Sequence, residues 1–222
     1  MARSLRAFVL RHTTLRSVPG LEPIRLHLAD DLLAVWRAAQ IETHDPDAPL
    51  PYWTAAWGGG QAIARYLRDN PDAVARKRIL DLGSGSGLCA IAAMNAGAER
   101  ATSVDIDPFA AAAIEVNARA NGCRIALVTR DILDDEPPDV DVVLAGDCWY
   151  EARLAERVTP WLRAASQAGI DVLVGDPGRR YLPTDELVEL AVYDARTTAE
   201  LEDLERTQAR VYRLRDREGA GS

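Results

Sequence analysis

Short apolar runs recur at residues 78–82, 101–104, 124–128, 140–145 and 171–174, and stretches with helical spacing separate them. Each run has the length of a strand. Helices are expected at 88–96, 108–121, 152–168 and near 183–190, with Pro160 breaking the third. Near-continuous apolar strands alternating with helices predict a parallel, doubly wound α/β sheet covered on both faces. Two later segments, 190–193 and 209–214, are expected to add an antiparallel edge. A chain of 222 residues, 48% of them hydrophobic, suits one such domain.

The strand at 78–82 runs into Asp81-Leu82-Gly83-Ser84-Gly85-Ser86-Gly87, and a helix is expected from Leu88. Alternating glycines let the backbone turn sharply and come close to a ligand, and the helix start offers free N–H groups. A dinucleotide loop would read G-x-G-x-x-G. Here the spacing is G-x-G-x-G with an aspartate upstream, which resembles the first motif of S-adenosylmethionine methyltransferases. That ligand has no pyrophosphate but carries an ammonium, which Asp81 can accept. Taken alone, the same residues also fit an ordinary glycine turn.

Two further acidic positions fall in register. Asp105 ends the strand at 101–104, about 20 residues past the glycines, where a carboxylate can take both ribose hydroxyls, with Ile106 beside it. Asp107 is read as a helix cap, since Pro108 follows it. Asp131 and Ile132, past the next strand, are placed to meet an adenine through a carboxylate and a backbone N–H. The fourth strand ends in Gly146-Asp147-Cys148-Trp149-Tyr150-Glu151. Ligands of open α/β sheets sit beyond the carboxyl ends of the strands, so this segment faces the acceptor. Asp147 can orient an amine, and aromatic walls disfavour its charged form. Trp53, Trp57 and Trp149 lie beside these segments and can attract cations. Trp36 and Trp161 fit amphipathic helices and the core.

Residues 1–75 are read as an N-terminal extension that acts as a cofactor and substrate lid. Leu26, Leu28, Leu32, Leu33 and Trp36 suggest a helix over 29–39, a proline-rich connector covers 45–51, and a second helix is expected over 61–69. The core is expected over 76–216 and a flexible tail over 217–222, within one structural domain. The net charge of -8 and the absence of a basic stripe argue against nucleic acid. No apolar run approaches the roughly 20 residues that span a bilayer, and the run from Ala7 to Leu10 is too short for a secretory signal. Cys89, Cys123 and Cys148 have no metal-ligand spacing and read as reduced thiols of a cytoplasmic protein. His12, His27 and His44 are scattered, so no metal is expected.

Beyond the glycine loop, the sequence resembles the seven-β-strand (class I) protein lysine methyltransferases, in particular the branch that modifies the electron transfer flavoprotein β-subunit. The segments that carry this are Pro51-Tyr52-Trp53 through Trp57-Gly58-Gly59-Gly60-Gln61, Arg65-Tyr66-Leu67, the glycine loop, Asp105-Ile106-Asp107-Pro108, Asn117 with Asn121-Gly122, the Asp147–Glu151 segment, and Gly175-Asp176-Pro177-Gly178-Arg179. The resemblance implies a mostly parallel, seven-stranded Rossmann-like sheet, S-adenosylmethionine as cofactor with S-adenosylhomocysteine as product, and a protein lysine as acceptor. It places Asp147 and Tyr150 at the substrate lysine and Asp147 near the cofactor. Trp57, Gly59, Gly83, Ser84, Gly85 and Gly87 also fall against the cofactor. Trp53, Trp149, Tyr150 and Arg179 fall on the substrate side. Two residues depart from the family: Gly58 stands where proline is common, and Trp149 is bulky for its position. Ribosomal protein L11 methyltransferases resemble the core too, but their asparagine-proline acceptor motif is not present at Asp147–Tyr150. The same cofactor half would also serve a small-molecule N- or O-methyltransferase, or a non-catalytic cofactor-binding protein.

Overall fold

The computed structural model describes residues 2–195 and 207–215. The expected tail, 217–222, lies outside them. The chain begins with helix α1 (Ala2–His12), a hairpin of β1 (Thr14–Val18) and β2 (Leu21–Leu28), and helix α2 (Leu32–Thr43). Helix α3 (Gly58–Asp69) follows. Then come β3 (Arg78–Leu82), α4 (Leu88–Asn95), β4 (Arg100–Val104), α5 (Pro108–Ala120), β5 (Ala126–Val128), β6 (Val142–Gly146), α6 (Ala152–Gln167), β7 (Asp171–Asp176), β8 (Leu187–Ala195) and β9 (Thr207–Leu214). The large sheet has seven strands in the order β5-β4-β3-β6-β7-β9-β8. The strands from β5 to β7 are parallel, and β9 runs antiparallel between β7 and β8.

Period-two alternation divides each central strand between two cores. Ile79, Val142, Leu144 and Leu173 face the side covered by α3 and α4. Leu80, Leu82, Val143, Ala145, Val172 and Val174 face α6 through Trp161 and Leu162. Because the strands are buried on both sides, almost every residue is apolar. Asp81 is therefore the exception in β3 and needs a reason beyond packing.

The N-terminal region differs from the sequence expectation. Ile24, Leu26 and Leu28 are buried at alternate positions of β2, so Leu26 and Leu28 belong to a strand, not to the helix assigned over 29–39. That helix starts later, capped by Asp31, whose Oδ1 accepts from Ala34 N at 2.8 Å. The hairpin docks on α5: Asn117 Oδ1 accepts from His27 N at 2.7 Å, and its Nδ2 donates to Ser86 O at 2.9 Å.

Two other expectations are corrected. Pro160 does not break α6, which runs through it. Pro160 and Glu156 are both exposed, so water can meet the carbonyl that the proline leaves free. The expected helix near 183–190 is a 3-10 turn (Thr184–Glu186) that leads directly into β8. Val188, Val192 and Tyr193 favour the extended form once β9 is there to pair with it.

The first turn of α3 sits backbone to backbone on the end of β7. A Cβ on Gly59 would stand 2.1 Å from Gly175 O, and one on Gly175 would stand 2.2 Å from Gly59 O. Neither wall can yield, because both are main chain. Gly59→Ala is expected to cost about 3 kcal/mol or more, which is a melting-point drop of about 6–12 °C for a domain of this size. Gly122→Ala, where nothing lies within 4 Å, should cost only about 1–2 kcal/mol for its left-handed φ of 69°. Thermal melts of the two variants check this, and equal losses would contradict the backbone contact.

Candidate active site

The carboxyl ends of the parallel strands form one rim, and each carries an aspartate. In sheet order these are Asp131 past β5, Asp105 past β4, Asp81 in β3, Asp147 past β6 and Asp176 at the end of β7. The glycine loop crosses the middle of this rim. Gly83, Gly85 and Gly87 have φ of 64°, 52° and 80°, a region that side chains with a Cβ rarely enter. The loop is tied down from below. Ser84 N donates to Val104 O at 3.1 Å, and Ser84 Oγ donates to Asp81 O at 2.7 Å. Gly85 N donates to Asp105 Oδ2 at 2.8 Å, so the turn and the proposed ribose carboxylate are already joined.

Burial governs the electrostatics. Asp81 is fully buried, and its Oδ2 accepts from Ala90 N at 3.1 Å. Its pKa is pushed up to about 7 by loss of solvent, with a smaller push from Asp105. Burial also raises Asp105, against the hydrogen bonds from Asp107 N and Gly85 N. Asp107 rises to about 6 for the same reason, and its Oδ1 caps α5 by accepting from Phe109 N at 2.8 Å. Among the described residues, no lysine or arginine acts on Asp81 or Asp105. A buried and a half-buried carboxyl without a cation are an acceptor pair that suits a ligand bringing its own positive charge and hydroxyls.

On the other side of the rim, the carboxylates already have partners. Asp147 adopts φ of 60° and is held from three directions. Its N–H donates to Gly175 O at 2.8 Å, its Oδ2 accepts from Gly60 N at 2.8 Å, and its Oδ1 accepts from Arg179 Nη1. Asp176 is fully buried, accepts from Gly178 N and Arg179 N through Oδ1, and lies 3.6 Å from Arg179 through Oδ2. Burial raises its pKa, and Arg179 pulls it back.

The tryptophan expectations are corrected in two places. Trp149 is 1% exposed and points into the α6 core, donating to Thr159 Oγ1 at 3.1 Å. Trp53 is also 1% exposed and stacks on Phe109 at 6.4 Å between α1 and α5. Their side chains fill cores and wall no acceptor site, because a large apolar ring gains most by leaving water. Trp57 stays half-buried at the site, donating to Tyr52 O at 2.7 Å. Tyr150 is 45% exposed and lies at the mouth. Ile106 is 71% exposed beside Asp105, an apolar surface open to a flat ring. Asp131 is engaged by Arg157 and by Leu133 N at 2.9 Å, which hold its pKa down, while Ile132 is buried beneath it.

Two residues escaped the sequence reading: Gly60 supplies the donor for Asp147, and Tyr52 stands at the mouth where Trp53 was expected. Asp176, at the end of β7 in a segment that sequence alone leaves between acceptor pocket and turn, anchors Arg179. The glycine run after Trp57 was a signal for Gly60. For Tyr52 there was none, since adjacent aromatics cannot be told apart before the turn Tyr52–Thr54 is known.

Comparison with known proteins agrees with this geometry. A family model described as ribosomal protein L11 methyltransferase (PrmA) matches residues 65–146 and stops just before Asp147, where the acceptor segment begins. The solved structure of a putative RNA methyltransferase from Pyrococcus horikoshii shares the fold, with a TM-score of 0.55 at 16% identity over 76% of this chain and 89% of that one. The ribosomal protein L11 methylase of Lactobacillus delbrueckii subsp. bulgaricus shares it with a TM-score of 0.50 at 22% identity over 72% and 81%. Sequence relatives are far closer. Electron transfer flavoprotein beta subunit lysine methyltransferase of Rattus norvegicus is 39% identical over 79% of this chain and 69% of its own length. The Homo sapiens protein of the same name is 40% identical over 79% and 67%. The fold, the glycine loop with its aspartates and these relatives together place the chain in the family of electron transfer flavoprotein β-subunit lysine methyltransferases, S-adenosylmethionine-dependent enzymes of class I.

Proposed function

We propose that this enzyme methylates the ε-amine of a lysine on a folded protein, and that the acceptor is the electron transfer flavoprotein β-subunit or a protein like it. The observation that carries this is the exposed ring pair Tyr52 and Tyr150, 5.1 Å apart, with Tyr150 three residues past Asp147, a surface that a long side chain can reach from solvent. A small-molecule enzyme would be expected to enclose its acceptor. Residues 1–75 contribute Tyr52, Trp57, Gly59 and Gly60 to this mouth, in keeping with a covering role for that segment.

When bound, S-adenosylmethionine supplies a methyl group activated by a sulfonium. The chain's own residues hold it and present the acceptor. Asp81 would take the ammonium end, Asp105 would take the ribose hydroxyls, and Ile106 and Ile132 would lie against the base. Free lysine has a pKa of about 10.4, and the amine must be neutral to attack. Desolvation of the amine as it reaches the methyl disfavours the ammonium, so its proton leaves to solvent before attack. Asp147 has both oxygens engaged, by Gly60 N and Arg179. It therefore orients the amine through remaining lone pairs and does not serve as a free base. Placing the nucleophile in line with the methyl is then the main contribution of the site.

A pH dependence follows from Asp81. Its folded pKa near 7 exceeds the unfolded value of about 3.9. The free protein thus loses stability as pH rises through this interval, since the unfolded chain holds fewer protons. A cationic ligand needs the carboxylate, so its affinity changes in the opposite direction. S-adenosylhomocysteine should bind up to about tenfold tighter per pH unit between about 5.5 and 7, and then level off. Calorimetry across this range checks it. Asp81→Asn should flatten the profile, and a pH-independent wild type would contradict the assignment.

The acceptor is tested with labelled cofactor and purified electron transfer flavoprotein. Label on a lysine of the β-subunit is expected, and Asp147→Ala should lower kcat about 100-fold with cofactor affinity nearly unchanged. Transfer to small amines with no label on any protein lysine would overturn the reading.

A further inference from the structure

Tyr52 has no part in the reaction as described, yet its surroundings are those of a binding residue. The turn Tyr52–Thr54 sends Trp53 into the core and Tyr52 outward, leaving Tyr52 37% exposed. Its ring centroid lies 5.1 Å from that of Tyr150, inclined at 46°, and 5.8 Å from that of Trp57, inclined at 66°. Rings inclined this way form a corner, unlike a closed stack, and both tyrosines remain partly open to solvent. The corner is fixed before any ligand arrives, because the Trp57 indole donates to the Tyr52 carbonyl at 2.7 Å. Tyr150 leads back to Asp147, three residues earlier in the same loop. Glu151 acts on both phenols and Arg179 acts on Tyr52.

We propose that Tyr52 is a substrate-binding residue, the wall that with Trp57 and Tyr150 forms an aromatic corner for the cationic end of the acceptor lysine, including its partly methylated forms. This rests on the lysine reading above. Each methylation removes one N–H donor from the ammonium but leaves its charge, so a site made only of acceptors holds the product of each round less well. Aromatic faces attract the cation whether or not it has N–H groups. A corner of rings thus keeps mono- and dimethyl-lysine bound for further rounds, and Tyr52 sets how far methylation proceeds.

The experiment uses the enzyme saturated with S-adenosylhomocysteine and two probes, Nα-acetyl-Nε-trimethyl-lysine methylamide and its uncharged carbon isostere. Binding is followed by NMR shifts of the tryptophan indoles. The wild type should prefer the cation about fivefold or more. Tyr52→Phe should keep that preference, and Tyr52→Ala should abolish it with S-adenosylhomocysteine affinity within about twofold of wild type. Should Tyr52→Ala not fold, Tyr52→Leu keeps apolar bulk without a ring face and must show the same loss. In a parallel arm, mass spectra of the methylated flavoprotein subunit should show monomethyl product accumulating with the alanine or leucine variant. Equal binding of the two probes by the wild type, or an undiminished preference in a ringless variant, overturns the proposal. A Tyr52-dependent preference without methylation of the flavoprotein subunit supports the corner and instead overturns the acceptor named above.

Discussion

The contact between the first turn of α3 and the ends of β6 and β7 is the joint on which the site depends. Gly59 and Gly175 meet main chain to main chain, closer than any Cβ allows. That approach brings Gly60 N to 2.8 Å from Asp147 Oδ2. It also fixes where Trp57 stands, since that residue immediately precedes the helix, and the Trp57 indole in turn holds the Tyr52 carbonyl. Through one backbone contact, the N-terminal region and the sheet become a single site. Two glycines on different elements are needed, and neither can be replaced cheaply.

Charge is then distributed unevenly across the rim. On the acceptor side, Asp147 and Asp176 share Arg179, and their negative charge is largely spent on positioning. On the cofactor side, Asp81 is buried and Asp105 half-buried, with no cation acting on either among the described residues, and loss of solvent raises both. Holding two such carboxyls costs the free protein stability, and a ligand with an ammonium and two hydroxyls offsets that cost. The asymmetry separates the two tasks of the site: a strained half that binds, and a neutralised half that aligns.

Much of this was legible in the residue pattern. The strand–helix rhythm from 78 onward, the glycine spacing and the aspartates at strand ends all express local rules, because period two, turn conformation and helix capping depend on near neighbours. The β2 hairpin was misread because Leu26 and Leu28 fit both a helix and a strand until Ile24 is seen to share their face. The 3-10 turn before β8 depended on pairing with β9, a partner some twenty residues away in the chain. Trp53 and Trp149 were assigned to the acceptor on their chemistry, and the structure spends them on packing, since a large apolar ring serves a core as well as a ligand. Only tertiary contacts decide between those uses, and the same holds for Tyr52, whose role arises from rings that face it across the mouth.

The account turns on Asp147 receiving a lysine amine, and one measurement addresses that directly. A crystal structure of the enzyme with S-adenosylhomocysteine and a lysine peptide from the methylated protein would locate the ε-nitrogen. The account predicts it within hydrogen-bond distance of the Asp147 carboxylate, with the side-chain stem lying against the rings of Tyr52 and Tyr150. A lysine seated elsewhere on the rim, with Asp147 contacting only Gly60 and Arg179, would contradict it.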